Sequence, residues 1–123
     1  MSDYPDIACP FCQVGADRIV HSDEHALAIL DAYPASPGHT LVVPRRHVCD
    51  FLALTPQEIH SMYNLLRLTC QAIDERLRPD GYNIGVNVGV AAGQTVEHAH
   101  LHIIPRYLRD VADPVRACHD ALG

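Results

Sequence analysis

The most constraining stretch of this chain is Gly93-Gln94-Thr95-Val96-Glu97-His98-Ala99-His100-Leu101-His102-Ile103-Ile104-Pro105-Arg106, in which three histidines alternate with apolar residues. Period-two alternation is the pattern of a β-strand. It predicts His98, His100 and His102 on one face of a sheet, with Ala99, Leu101 and Ile103 turned to the core. A helix is excluded, because at about 100° per residue positions i, i+2 and i+4 scatter around the cylinder. Three imidazoles in a row are poor packing material: each polar ring needs partners that Ala, Val or Leu in the same space would not. A single histidine is more often a surface or satisfied core residue than a working one. Three at strand spacing, behind a Gly-Gln-Thr turn, mark a site. A zinc ion held by all three fits poorly. The strand rise of roughly 3.3 Å per residue separates His98 from His102 by about 13 Å, whereas zinc holds each nitrogen at roughly 2 Å.

At 123 residues and 48% hydrophobic content, the expectation is one folded domain over 1–123. Residues 1–8 are expected to be flexible and 107–123 form a weakly patterned tail. The formal net charge of -6 argues against a nucleic-acid partner, which demands clustered Lys and Arg. A single nucleotide stays possible, since backbone amides and a few imidazoles can hold one phosphate group. There is no leader-like N-terminus and no run of about 20 apolar residues, so no membrane is expected and the expected location is cytoplasmic. Five cysteines, Cys9, Cys12, Cys49, Cys70 and Cys118, show no repeated spacing, which suits a reducing compartment better than a disulfide framework.

Cys9-Pro10-Phe11-Cys12 has the spacing of a metal knuckle. A redox pair is the rival reading, but that motif follows a strand and only eight residues precede Cys9. Two reduced, unliganded cysteines are the plainest alternative. Arg18 to Ser22 and Ala26 to Leu30 read as strands around the turn Ser22-Asp23-Glu24-His25. Pro34 to Gly38 is a turn, and His39 to Pro44 reads as a buried strand. Arg45 and Arg46 read as a solvated corner. Thr55-Pro56-Gln57-Glu58 is a helix start with cap, proline and capping box. The helix continues with an apolar stripe of Ile59, Met62, Leu66, Cys70, Ile73 and Leu77, widened by Leu65, Leu68 and Ala72, until Arg78-Pro79-Asp80-Gly81. Tyr82 to Val88 alternates as a fourth strand, and Asn87 is unusual inside one. Gly89 to Gly93 is a small-residue loop of the kind that lets backbone N–H groups approach a phosphate. The fold expected is α+β, about five mostly antiparallel strands with one long helix packed on them. An unpaired sheet edge and the wide helix stripe predict a homodimer.

Taken together, Cys9-Pro-Phe-Cys12, Ser36-Pro-Gly-His39 through His47, Asn87, and Gly93-Gln-Thr-Val followed by His-x-His-x-His resemble the histidine triad (HIT) family of nucleotide hydrolases and transferases. The triad ending in Ile-Pro-Arg is similar to the compact bacterial diadenosine polyphosphate hydrolases. That resemblance implies a HIT-like fold and a zinc site completed by His47 and His98 beside Cys9 and Cys12. Such a closed Cys2His2 site is structural, one ion per chain, and no organic cofactor is implied. It further implies His100 as nucleophile toward the α-phosphorus of a nucleoside or dinucleoside polyphosphate, giving a nucleotidyl-histidine that water hydrolyses. His102, His39 and the backbone at Gly93, Gln94 and Thr95 would hold the phosphate oxygens, with Thr95 passing a proton to the leaving group. Asp31 matches the position that bonds ribose hydroxyls, and Asn87 one that orients substrate. His102 in place of Gln favours hydrolysis over the transferase and phosphorylase branch. An adenosine phosphoramidase, or a nucleotide-binding sensor with incidental turnover, are the alternatives. The tail at 115–120 departs from these relatives, so base and leaving group are not specified.

Overall fold

The computed structural model describes residues 8–108, so the expectations for the flexible N-terminal residues, for Cys118 and for the tail beyond Leu108 lie outside it. The elements in chain order are β1 (Ile19–Ser22), β2 (Ala26–Leu30), β3 (Thr40–Pro44), α1 (Pro56–Arg76), β4 (Gly81–Gly85) and β5 (Leu101–Arg106). Short 3-10 turns stand at Ala16–Arg18, Phe51–Ala53 and Val90–Ala92. The five strands form one sheet in the order β1-β2-β3-β5-β4, every neighbouring pair antiparallel. The expected α+β architecture is therefore observed.

Each face of the sheet is covered by a different stretch of chain. Ala26, Ala28, Val42 and Ile103 meet Met62, Leu65 and Ile73 of the helix. Ile29, Leu41 and Val43 meet Cys9 and Phe11 on the opposite face. This double cover explains why all five residues of β3 are buried, and why its sequence reads as continuously apolar. Leu41 pairs with His102, and Thr40 with Ile103. The period-two alternation thus sends Ile103 to the helix and His102 to the other side.

The helix starts as its sequence requires. The Thr55 hydroxyl accepts from the Glu58 N–H at 3.2 Å, and the Thr55 N–H donates to Glu58 Oε1 at 2.8 Å. Its buried seam runs through Glu58, Ser61, Met62, Leu65, Thr69 and Ile73, a face rotated from the expected stripe, so that Ile59, Leu68 and Leu77 are exposed. Glu58 opens this seam. Its carboxylate is buried and accepts from Arg46 Nε at 3.1 Å and Nη2 at 2.9 Å, which pins this turn against the strand exit. Arg46 is therefore a partner of the helix and not a merely solvated corner. The guanidinium hydrogen bonds hold the Glu58 carboxyl below its usual range, against the raising effect of burial.

Three further boundaries differ from expectation. Arg18 belongs to a 3-10 turn, β4 stops at Gly85 so that Asn87 lies beyond it, and β5 begins only at Leu101. His98 and His100 thus precede the strand. The cause is a pair of contacts distant in the chain: Pro44 O, which would continue the β3 ladder, accepts from His98 Nε2 at 2.8 Å, while the Ala99 N–H donates to Val48 O at 2.7 Å. Among the described residues no helix is long and apolar enough to cross a membrane.

Candidate active site and metal cluster

The three triad histidines are all buried, and each has its tautomer set by a different acceptor or donor. His100 Nδ1 lies 2.8 Å from His98 O. A carbonyl only accepts, so Nδ1 carries the proton and the lone pair of the neutral ring is on Nε2. That nitrogen is the one able to offer a lone pair to an electrophile. His98 has the reverse arrangement: Nε2 donates to Pro44 O, which puts its lone pair on Nδ1. Burial pushes the His98 pKa down, against the raising effect of the Pro44 carbonyl.

The His98 Nδ1 lone pair points into a cluster. Cys9 Sγ is 3.4 Å from it, Cys12 Sγ 3.6 Å and His47 Nδ1 3.2 Å, and Cys12 Sγ lies 3.2 Å from His47 Nδ1. For a tetrahedron with zinc–sulfur bonds of about 2.3 Å and zinc–nitrogen bonds of about 2.05 Å, the edges come to roughly 3.3 Å between nitrogens and 3.6 Å between nitrogen and sulfur. The cluster has these dimensions. Two sp2 lone pairs at 3.2 Å repel each other unless a proton or a cation lies between them, and burial pushes the Cys9 thiol up in the absence of a cation. The donor set thus suits zinc, and the spacing of Cys9 and Cys12 alone was enough to suggest it.

On the same side of the sheet lies a cleft of about 400 Å³, lined among others by Pro10, Phe11, Asp31, His39, Thr95, His100 and His102. Phe11 joins the two regions. Its ring makes edge contacts with His98 at 5.8 Å and His100 at 5.1 Å between centroids. In the same cleft, His39 Nδ1 accepts from the Ala35 N–H at 2.9 Å. Its Nε2 therefore carries the proton and faces His102 Nδ1 at 3.0 Å and Asp31 Oδ2 at 3.3 Å. Asp31, His39 and His102 are also close enough together to hold a cation. Such a cation on His39 Nε2 would require an imidazolate, since Nδ1 is already engaged by an N–H, so His39 and His102 form a hydrogen-bonded pair with the Asp31 carboxylate beside it. Burial holds His39 below the usual histidine pKa, against the pull of Asp31, and keeps it neutral.

Asp31, His39, Thr95, His100 and His102 are thus brought to one cleft. Gly93, Gln94 and Asn87 are not among the residues lining it. The Gly93 and Gln94 N–H groups bond to Val90 O and Gly89 O within their own turn. The Gln94 side chain accepts from the Gly89 N–H and donates to Cys49 O and Val96 O. Gly93 is left-handed at φ 95°, and a Cβ there would stand 3.2 Å from the Asn87 amide. These three residues build the turn that presents Thr95. Arg18, whose guanidinium bonds Leu30 O at 2.8 Å, and Phe11 line the cleft but carried no functional signal in the sequence beyond the placement of Phe11 between two cysteines.

Residues 13–108 match the HIT domain family. An uncharacterised HIT-like protein of Saccharolobus solfataricus is 41% identical over 106 residues, covering 83% of this chain and 76% of that protein. The solved structure of a zinc-bound histidine triad family protein from Mycobacterium smegmatis is 38% identical, with a TM-score of 0.76 over 94% of this chain and 91% of its own. Relatives with enzyme names match smaller shares of their own length. A Schizosaccharomyces pombe protein named bis(5'-nucleosyl)-tetraphosphatase is 36% identical over 78% of this chain and 53% of its own. A Mycobacterium tuberculosis protein named AP-4-A phosphorylase is 38% identical over 65% of this chain and 42% of its own.

Proposed function

The chain belongs to the HIT family, and on that premise we propose that it is a nucleotide hydrolase that cleaves at the α-phosphate of a nucleoside or dinucleoside polyphosphate through a nucleotidyl-His100 intermediate. The observation that carries the reading is the 2.8 Å bond from His100 Nδ1 to His98 O, which makes Nε2 the nucleophilic atom of the buried imidazole in its neutral form. Nε2 attacks the α-phosphorus; the N–P bond forms as the bond to the leaving polyphosphate oxygen breaks. The ring gains positive charge, and the Nδ1–H bond to the carbonyl strengthens as it does. His102, with Nδ1 accepting from His39, keeps its own proton on Nε2 and donates to a non-bridging phosphate oxygen. Thr95 delivers a proton to the leaving oxygen. Water then attacks phosphorus and the N–P bond breaks; the water's proton restores the Thr95 hydroxyl, His100 returns to its neutral form and the nucleoside monophosphate is released.

Asp31 takes the ribose hydroxyls, while Asn87, Gly93 and Gln94 act through the turn behind Thr95. Cys9, Cys12, His47 and His98 would hold one zinc ion, which would serve as a structural cross-link between the knuckle and the triad. Exposed Ile59, Tyr63 and Leu68 on α1 and Ile84 on the unpaired edge strand β4 support a homodimer, which sedimentation velocity would read as twice the 13.6 kDa chain mass. The reaction is tested by product analysis in oxygen-18 water free of phosphate. A dinucleoside polyphosphate should give a nucleoside monophosphate labelled at its α-phosphate. A strict requirement for added phosphate, with no label incorporated, would overturn hydrolysis in favour of a phosphorylase.

A further inference from the structure

A second pocket, of about 370 Å³, lies on the helix side of the sheet. It stands back to back with the cleft and shares no lining residue with it: Leu30, Gly38 and Thr40 border the pocket, whereas their chain neighbours Asp31 and His39 face the cleft. Its walls are apolar, formed by Val20, Leu30, Ala72, Ile73 and Leu77. Three polar side chains break them. Thr69 is 3% exposed, yet its hydroxyl has no hydrogen-bond partner, not even the carbonyl one turn back that a helical threonine commonly uses. The hydroxyl of Thr40, on the same pocket, donates to Gly38 O at 2.8 Å. Half-buried His21 and exposed Arg76 complete the set, and neither makes a hydrogen bond or ion pair among the described residues. Thr69, Ala72, Ile73 and Arg76 share one face of α1 by their helical spacing. On the edge strand, the β1–β2 register shifts between Ile19 and His21. The break brings two consecutive residues, Val20 and His21, to one pocket where regular alternation would bring one. Packing alone does not account for Thr69: valine has its shape and leaves no buried hydroxyl unpaired.

We propose that this pocket is a second binding site, separate from the cleft, for a small carboxylate with an apolar body, of the class of medium-chain aliphatic or arylalkanoic acids. The chemistry of the ligand follows from the donors. Thr69 and His21 offer an O–H and an N–H, and Arg76 adds a fixed positive charge, so the complementary group accepts hydrogen bonds and is negative. Arg76 lies two turns after Thr69 on the same face, and long helical side chains lean toward the N-terminus; a carboxylate between the two accepts from both. The hydrocarbon part then lies against Val20, Leu30 and Leu77, with His21 at the mouth. A nucleotide or free phosphate fits poorly, because several charges would be set against apolar walls with a single arginine to pair them. The volume stands near the lower end of small-molecule sites, which limits the body to one ring or a chain of several carbons.

The test is an NMR titration of the full chain with butanoate, hexanoate, octanoate and phenylacetate, with hexan-1-ol as the uncharged control. At least one acid should give saturable amide shifts at Gly38, Thr69, Ala72, Ile73 and Leu77 while leaving Tyr33, Thr95 and Val96 of the cleft in place. Hexanoate should bind about tenfold more tightly than hexan-1-ol, and Arg76→Gln, at an exposed position, should remove that preference. Thr69→Val should weaken the best acid by about fivefold and raise the Tm of the ligand-free protein by a few degrees, since it deletes a buried hydroxyl that has no partner. A threonine kept only for packing gives neither effect. The absence of saturation at these amides with every acid, shifts confined to the cleft, equal affinity for the acid and the alcohol, or a Thr69→Val variant melting at or below wild type would each overturn the site. None of these results bears on the hydrolase reading, which uses the other face of the sheet.

Discussion

Gln94 should matter more than its absence from the cleft lining suggests. It is 8% exposed, and its amide satisfies three backbone groups: the Gly89 N–H at 2.9 Å, Cys49 O at 3.0 Å and Val96 O at 2.9 Å. Gln94→Leu orphans all three. At about 1 kcal/mol of net hydrogen bonding each, the loss is about 3 kcal/mol, of which apolar burial of leucine offsets about 1 kcal/mol. A net loss of about 2 kcal/mol lowers Tm by about 6–10 °C in a domain of this size. Loosening of the turn that presents Thr95 should also lower kcat by about tenfold. Gln94→Glu sharpens the test. One carboxylate oxygen keeps the Gly89 N–H, but the other faces two carbonyl oxygens, so the folded state favours the protonated acid and raises its pKa above the unfolded value of about 4.3. A raised folded pKa contributes stability below the unfolded pKa that is lost as pH rises through the folded value. The Tm deficit of Gln94→Glu relative to wild type should therefore shrink from pH 7 toward pH 4.5. Calorimetry across that range, with single-turnover kinetics at neutral pH, checks both parts. A Gln94→Leu variant that melts with wild type, or a Gln94→Glu deficit constant with pH, would refute the account of this turn.

His100→Ala should lower turnover by three or more orders of magnitude while binding nucleotide and melting near wild type; a residual tenth of the activity would exclude it as nucleophile. Purified protein should contain about one zinc per chain by elemental analysis, and the Cys9→Ser, Cys12→Ser double variant should lose both metal and thermal stability. Arg46→Ala strips the buried Glu58 carboxylate of its two charged donors and should cost about 1–3 kcal/mol at neutral pH. Because the Glu58 pKa is depressed in the folded state, that stability is present above the unfolded value of about 4.3 and disappears as pH falls through the folded one. The difference between the Arg46→Ala variant and wild type, read by urea titration, should narrow in acid.

The sequence carried most of this arrangement because its signals were local. The Thr55 cap, Pro56 and Glu58 start the helix by contacts within four residues, and the β2 and β3 strands are bounded by polar turns. What stayed hidden depends on partners distant in the chain. The triad reads as one continuous strand, yet the ladder stops at Leu101 because an imidazole takes the Pro44 carbonyl, a contact 54 residues away. The alternation of faces survives that break, which is why the pattern still located the site. The helix seam was misread by part of a turn because Glu58 looks like a surface residue until Arg46 is seen to accompany it inside. The backbone at Gln94 reads as a phosphate ligand, and no spacing rule shows that its side-chain amide bonds Gly89, Cys49 and Val96. The His39 tautomer rests on one backbone N–H, from Ala35, which no spacing rule reveals.

Phe11 has a practical consequence for anyone trimming this chain. The family match begins at residue 13, and a boundary drawn there would look generous, since the first strand starts only at Ile19. Such a truncation removes the ring that separates His100 from the cysteine cluster, along with Pro10, and so takes away one wall of the cleft. Cys9 and Cys12, two members of the Cys/His cluster, go with it. The fragment would keep every strand and the helix and still lose the enclosure around His100, so an inactive short form would say nothing about the activity of the whole chain.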